Sequence, residues 1–152
     1  MNMLSVGDML PDLSSVNQDG ETVKLHDYLG KKLVVFFYPR ANTPGCTAEA
    51  CSLRDHYTEL QSAGYELLGV SEDTPRKQKN FRDKYEFPFP LLADESHELI
   101  DAFGVWGPKK FMGKEFDGLH RTTFVFGTDG KATRVITKVK TKDHATQILE
   151  EA

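Results

Sequence analysis

Two apolar runs constrain this chain more than anything else in it: LVVFFY at residues 33–38 and YELLGV at residues 65–70. An unbroken run of β-branched and aromatic residues marks a strand covered on both faces. Pro39 stops the first run, because proline removes a ladder donor. Between the runs, residues 44–63 carry apolar positions at helical spacing, and Gly64 follows where a helix C-cap belongs. A strand, a helix and a second strand, all needing burial, place the chain among the α/β proteins.

The other segments extend that pattern. Residues 12–16 and 22–25 flank Asn17-Gln18-Asp19-Gly20, whose Asp-Gly ending favours a turn, so the chain opens with a hairpin. Residues 74–85 read as a charged helix, with Thr74 as cap and Pro75 at the first helical position. A short strand at 90–93 and a helix near 96–103 follow. Residues 104–118, rich in glycine, proline and aromatics, read as a long functional loop. Residues 122–126 and 132–136 form a closing hairpin across Gly127-Thr128-Asp129-Gly130, and a last helix covers about 142–150. The order β-β-β-α-β-α-β-α-β-β-α implies a mixed central sheet flanked by helices. It is compatible with a thioredoxin-like fold carrying an N-terminal β-hairpin extension. No repeat, low-complexity tract or linker divides it, so residues 1–152 are expected to form a single domain.

Composition excludes several function classes. The net charge is −4 with Lys and Arg scattered, which speaks against nucleic acid as a partner. No apolar run approaches the roughly 20 residues that cross a bilayer. The N-terminus MNMLSVGDMLPDL lacks a basic region and a long apolar core, so no signal peptide and a cytoplasmic setting are expected. In that compartment thiols stay reduced, and a structural disulfide is not the expected use of cysteine. There are two cysteines, too few for a tetrahedral zinc site unless His or carboxylate ligands join them.

Both lie at the start of the first helix, in Thr43-Pro44-Gly45-Cys46-Thr47-Ala48-Glu49-Ala50-Cys51. With Thr43 as N-cap, Pro44 takes the first helical position, where its missing N–H costs nothing. Cys46 then falls on the first turn, where free N–H groups and the positive end of the helix dipole favour thiolate over thiol. The Thr43 hydroxyl is near enough in sequence to donate to the same sulfur. Cys46, Ala50, Leu53, Tyr57 and Leu60 recur at intervals of four and three, so Cys46 faces the sheet and Cys51 lies at the stripe's edge. Helical residues five apart have Cα atoms separated by roughly 8.7 Å, whereas a disulfide needs about 4.4–6.8 Å. If these two cysteines react together, the first turns must unwind. Buried cysteines are also commonly inert packing residues, but an inert one has no need of this helix start.

The same residues carry a resemblance. Pro39, Thr43 and Cys46 match the Pro-x-x-x-Thr/Ser-x-x-Cys pattern of the peroxiredoxins. TPGCTAEACSLRD, FGVWGPKKFMGKEFDGLHRTTFVF and the chain length resemble the bacterioferritin comigratory protein, or peroxiredoxin Q, branch, from about Val6 onward. The resemblance implies that Cys46 attacks a peroxide and becomes a sulfenic acid. Cys51 would resolve it as an intramolecular disulfide, and thioredoxin, or glutaredoxin, would reduce that bond. Thr43 would bond the thiolate and peroxide, Pro39 would shield the pocket from water, and Arg121 would hold the thiolate and polarise the peroxide. A guanidinium suits charge spread over two oxygens and a sulfur. No metal or organic cofactor is implied, and a monomer suffices because one chain holds both cysteines. Trp106, Phe111 and Phe116 either cap a core or wall a peroxide pocket. Arg40 reads as a surface charge, His120 as structural or exposed, and Glu72, Asp73 and the charged helix after them as a solvated face. Two other functions remain in view: a general thiol–disulfide oxidoreductase, which usually carries the Cys-x-x-Cys missing here, and a redox-switched binding protein.

Overall fold

The computed structural model describes residues 2–150. Its centre is the strand β3 (Lys32–Phe37), flanked by β4 (Tyr65–Ser71) in parallel and by β8 (Thr122–Phe126) antiparallel. Beyond β4 lies β5 (Leu91–Ala93), also parallel, and beyond β8 lies β9 (Ala132–Ile136), antiparallel. The N-terminal hairpin of β1 (Ser14–Val16) and β2 (Thr22–Lys24) joins the β5 edge through Val16 opposite Ala93. The result is a seven-stranded mixed sheet in the order β2-β1-β5-β4-β3-β8-β9.

Alternation along β3 builds two cores. Val34 and Phe36 point to one face, Leu33, Val35 and Phe37 to the other, and all five are buried. The first face is covered by α1 (Pro44–Asp55), α2 (Tyr57–Ser62), α3 (Pro75–Tyr85) and α5 (His144–Glu150), which contribute Ala50, Leu53, Leu60, Phe81 and Ile148. The second face is covered by α4 (Glu98–Phe103) and by a 3-10 turn over Leu25–Tyr28, which contribute Leu99, Ile100, Phe103 and Leu25. A central strand buried on both sides explains its continuous apolar sequence.

Two segments differ from the reading of the sequence. The helix expected over residues 44–63 is broken at His56, whose φ of −113° and ψ of 18° leave the helical region. There the His56 ring Nδ1 sits 3.0 Å from the Ser52 carbonyl and competes for the backbone bond. The stretch 104–118, expected to be a loop, is a two-stranded hairpin of β6 (Trp106–Phe111) and β7 (Lys114–Leu119). Met112 and Gly113, with φ of 52° and 79°, form its tight turn. Among the described residues, no helix is long and apolar enough to cross a membrane.

Candidate active site

The site is assembled where β3 hands over to α1. The connecting loop is pinned by Asp73, whose Oδ2 accepts from the Ala41 N–H and from the Ser71 hydroxyl, both at 2.7 Å. Asp73 is thus buried, which corrects the expectation of a solvated face there; the carboxylate's donors are a loop amide and a strand hydroxyl brought in from elsewhere. Below it, Tyr38 donates to the buried Gln78 Oε1 at 2.5 Å. Gln78 in turn donates to the Leu92 carbonyl at 2.7 Å. Two strands and α3 therefore fix where α1 begins.

Thr43 is the N-cap, with φ −96° and ψ 157°, and Pro44 opens the helix. The Thr43 hydroxyl is not on the sulfur. It donates to the Arg40 carbonyl at 2.8 Å, because the turn through Asn42, at φ 62°, brings that carbonyl within reach. Cys46 is buried, at 2% exposure, on the inward face that the four-three spacing anticipates. Arg121, immediately before β8, donates from Nη2 to Cys46 Sγ at 3.2 Å and from Nη1 to Glu49 Oε1 at 2.7 Å. One guanidinium fork thus spans the sulfur and a carboxyl one helical turn away. Gly45 makes room for it: a Cβ there would lie 3.2 Å from Arg121 Nη2.

Cys51 is half-buried at the rim of the same core, and both cysteines are free thiols. Burial raises the Cys51 pKa, opposed by the nearby Arg54 charge and assisted by Asp55. Both cysteines sit within the unbroken α1, so helix geometry holds their Cα atoms beyond disulfide reach.

Cys46 opens to a cavity of about 610 Å³, lined among others by Pro39, Thr43, Arg121, Trp106, Phe111 and Phe116. The hairpin β6–β7 therefore supplies an aromatic wall, and its tip residues Phe111 and Met112 remain exposed. All three line the cavity, and Trp106 also packs against the second core, so it takes both of the roles open to these aromatics. His120 anchors the hairpin's base by donating from Nε2 to the Pro108 carbonyl at 2.9 Å. Arg40 is exposed at the mouth. All five site residues singled out in the sequence, Pro39, Thr43, Cys46, Cys51 and Arg121, gather on or beside α1.

Electrostatically the site holds more than those five. Burial raises the pKa of Glu49 to about 7, although Arg121 pulls it down. Burial works against the Arg121 charge, but Glu49 and Cys46 outweigh it and raise the guanidinium further above its ordinary value. His144, on α5, is fully buried behind Glu49. Neither residue was legible as a site residue. The signals available were an acidic residue on the inward side of an apolar helix stripe and a histidine at the start of the last helix. Among the described residues, no group of three or more His, Cys, Asp or Glu is placed to hold a metal.

A buried sulfur at a helix start, gripped by a guanidinium and facing an apolar cavity, defines a thiol-based redox enzyme. The chain belongs to the AhpC/TSA family, which it matches over residues 6–135, and within it to the peroxiredoxins, thiol peroxidases that act on a peroxide and are recycled by a thioredoxin-type reductant. It is 48% identical to peroxiredoxin Bcp of Escherichia coli (strain K12) over 149 residues, 98% of this chain and 96% of that one. Peroxiredoxin Q of Xanthomonas campestris superposes with a TM-score of 0.86 at 36% identity, covering 93% of this chain and 92% of the other. A structure of the Xanthomonas campestris bacterioferritin comigratory protein, concerned with its alkyl peroxide reduction activity, matches with a TM-score of 0.88 at 34% identity. It covers 97% of this chain and 96% of its own.

Proposed function

We propose that Cys46 is the residue that attacks the peroxide, that Cys51 resolves the product, and that the physiological reductant is thioredoxin. The observation that carries this reading is the 3.2 Å bond from Arg121 Nη2 to the buried Cys46 Sγ at the floor of the cavity. The Cys46 thiolate attacks the distal oxygen of ROOH, the O–O bond breaks, and its electron pair leaves with RO⁻. The proton given up when the thiol ionised neutralises RO⁻ as ROH, and Cys46 becomes a sulfenic acid. Arg121 stands where charge develops on sulfur and on both oxygens. Thr43, at the cavity wall, would turn its hydroxyl to the peroxide, and Pro39 would keep water off the sulfur.

The Cys51 thiol then attacks the sulfenic sulfur, forming the Cys46–Cys51 disulfide and releasing water. This requires the first turns of α1 to unwind. A reduced dithiol restores both thiols and leaves as its own disulfide. The apolar cavity, walled by Trp106, Phe111 and Phe116, supports alkyl hydroperoxides as substrates alongside hydrogen peroxide, as the Xanthomonas campestris relative's alkyl peroxide activity also suggests. With both cysteines in one chain, a single-domain monomer in a reducing, cytoplasmic setting suffices. NADPH oxidation coupled through thioredoxin reductase and thioredoxin tests the whole cycle. Peroxide-dependent turnover is expected in the wild type and none in Cys46→Ser. A wild type that does not turn over, or a Cys46→Ser variant that does, refutes the reading.

A further inference from the structure

One buried pair beside the sulfur has no part in that cycle. Glu49 on α1 and His144 on α5 are both 0% exposed, and Glu49 Oε2 lies 3.5 Å from His144 Nε2. Among the described residues, Glu49 Oε2 has no hydrogen-bond partner. A buried carboxylate oxygen left unpaired is costly, and a proton placed on it removes the charge.

The neighbours of His144 decide its tautomer. Gln147 Nε2 donates to the Lys138 carbonyl at 2.9 Å, and Gln147 Oε1 accepts from the Lys140 N–H at 3.1 Å. Those two bonds orient the amide, so the oxygen that faces His144 Nδ1 at 2.9 Å is an acceptor. Nδ1 therefore carries the hydrogen. Nε2 keeps its lone pair and accepts from the Thr123 hydroxyl at 2.7 Å. With that lone pair taken by Thr123 and no hydrogen of its own, Nε2 offers no donor to Glu49 Oε2, 3.5 Å away, so a negative charge there stands uncompensated and a proton removes it.

We propose that Glu49 and His144 hold one proton between them, on Glu49 Oε2, and that His144 thereby sets how much of the Arg121 charge is free for Cys46 and the peroxide. The proposal rests on the roles given above to Cys46 and Arg121. His144 touches neither sulfur nor substrate, so it is a positioning residue.

The charged and titratable surroundings agree with a neutral imidazole. It is faced by Glu49 from α1, by Thr123 of β8 and the Arg121 that precedes it, by Arg134 of β9, and by Gln147 on its own helix. Burial and the two guanidinium charges hold the His144 pKa down, at about 4, against the Gln147 bond. Burial holds Glu49 up, at about 7. The proton accordingly belongs to Glu49 up to neutral pH. Oε1 accepts from Arg121 in either protonation state, so the geometry stays and the charge alone changes. While the carboxyl is neutral, the guanidinium is shared only by sulfur and peroxide. Once it ionises, a full negative charge competes for Arg121 at 2.7 Å.

The test is the rate at which hydrogen peroxide oxidises the reduced protein in a single turnover, followed by the fluorescence of Trp106, the sole tryptophan, between pH 5.5 and pH 9.5. The wild-type rate is expected to fall along a limb with its midpoint near the pH where Glu49 ionises, about 7. Glu49→Gln, a permanently neutral isostere, should lack that limb. His144→Ala replaces a ring edge that offers Glu49 no donor with space for water, moving the limb to lower pH by about one unit. In the Glu49→Gln/His144→Ala double variant the limb should again be missing. A limb shared by wild type and Glu49→Gln, or one unmoved in a folded His144→Ala, overturns the proposal. Imidazole nitrogen NMR of the wild type needs no variant. A neutral Nδ1–H tautomer from pH 5 to pH 8, with Nε2 responding at the limb's midpoint, is the expected result. An imidazolium at pH 7, or an Nε2–H tautomer, overturns it. A wild type that does not react with peroxide would instead refute the reading of Cys46 itself.

Discussion

Replacing Glu49 by glutamine should expose a dependence of stability on pH that the wild type conceals. In the unfolded chain between pH 4.5 and 6.5, Glu49 is ionised and His144 carries a proton; in the folded protein Glu49 carries it and His144 is neutral. Each state holds one proton on the pair, so the pair contributes no slope across that window. The signs of the separate contributions are opposite. Glu49, raised from 4.5 to about 7, contributes stability that is complete below the lower value and lost as pH rises through the higher. His144, lowered from 6.5 to about 4, contributes stability that is complete above 6.5 and lost as pH falls toward 4. Glu49→Gln deletes the first contribution and leaves the second, whose causes are burial and the Arg121 and Arg134 charges rather than Glu49. At about 1.4 kcal/mol per pH unit, and with titration incomplete at both ends of the window, the variant should lose about 2 kcal/mol relative to wild type on going from pH 6.5 to 4.5. Urea unfolding followed by circular dichroism at half-unit intervals measures it, and subtracting the wild-type curve removes every carboxylate the two proteins share. Parallel curves across that window would refute the reasoning.

Further outcomes follow from the same geometry. Arg121→Ala should slow the single-turnover reaction with peroxide by about a hundredfold to a thousandfold, the range for losing one preorganised donor to developing charge; Arg121→Lys should recover little, since a lysine cannot fork between Cys46 and Glu49. Gly45→Ala should slow the same reaction at unchanged fold, because its Cβ would stand 3.2 Å from Arg121 Nη2 and shift the guanidinium by a few tenths of an ångström relative to the sulfur. Cys51→Ser should reduce one equivalent of peroxide and then stall in the thioredoxin-coupled assay, recovering only with an added external thiol.

What the sequence disclosed and what it hid divide along physical lines. The strands β3 and β4 were legible because a strand buried on both faces must be apolar throughout, whatever it pairs with. Pro44 and Gly45 announced the start of α1, and the four-three spacing by itself turned Cys46 inward. The hairpin β6–β7 was hidden because its turn rests on Met112 at φ 52°, a residue that carries no turn signature, and its strands are largely solvent-exposed. The Thr43 hydroxyl was misplaced because a left-handed Asn42 brought a backbone carbonyl closer than the sulfur. Glu49 and His144 matter only through partners 72 and 21 residues away in the chain, Arg121 and Thr123. Local pattern holds no record of such contacts.

The proposed cycle requires that peroxide oxidise Cys46 and that Cys51, after α1 unwinds, capture it within the same chain. Treating the reduced protein with one equivalent of hydrogen peroxide, then mapping its disulfide by peptide mass and its α1 by hydrogen exchange, addresses every part of it. A single Cys46–Cys51 bond inside one chain is expected, with amide protection lost over the first turns of α1. A disulfide found only between chains, or an intramolecular one with α1 as protected as in the reduced protein, would contradict it.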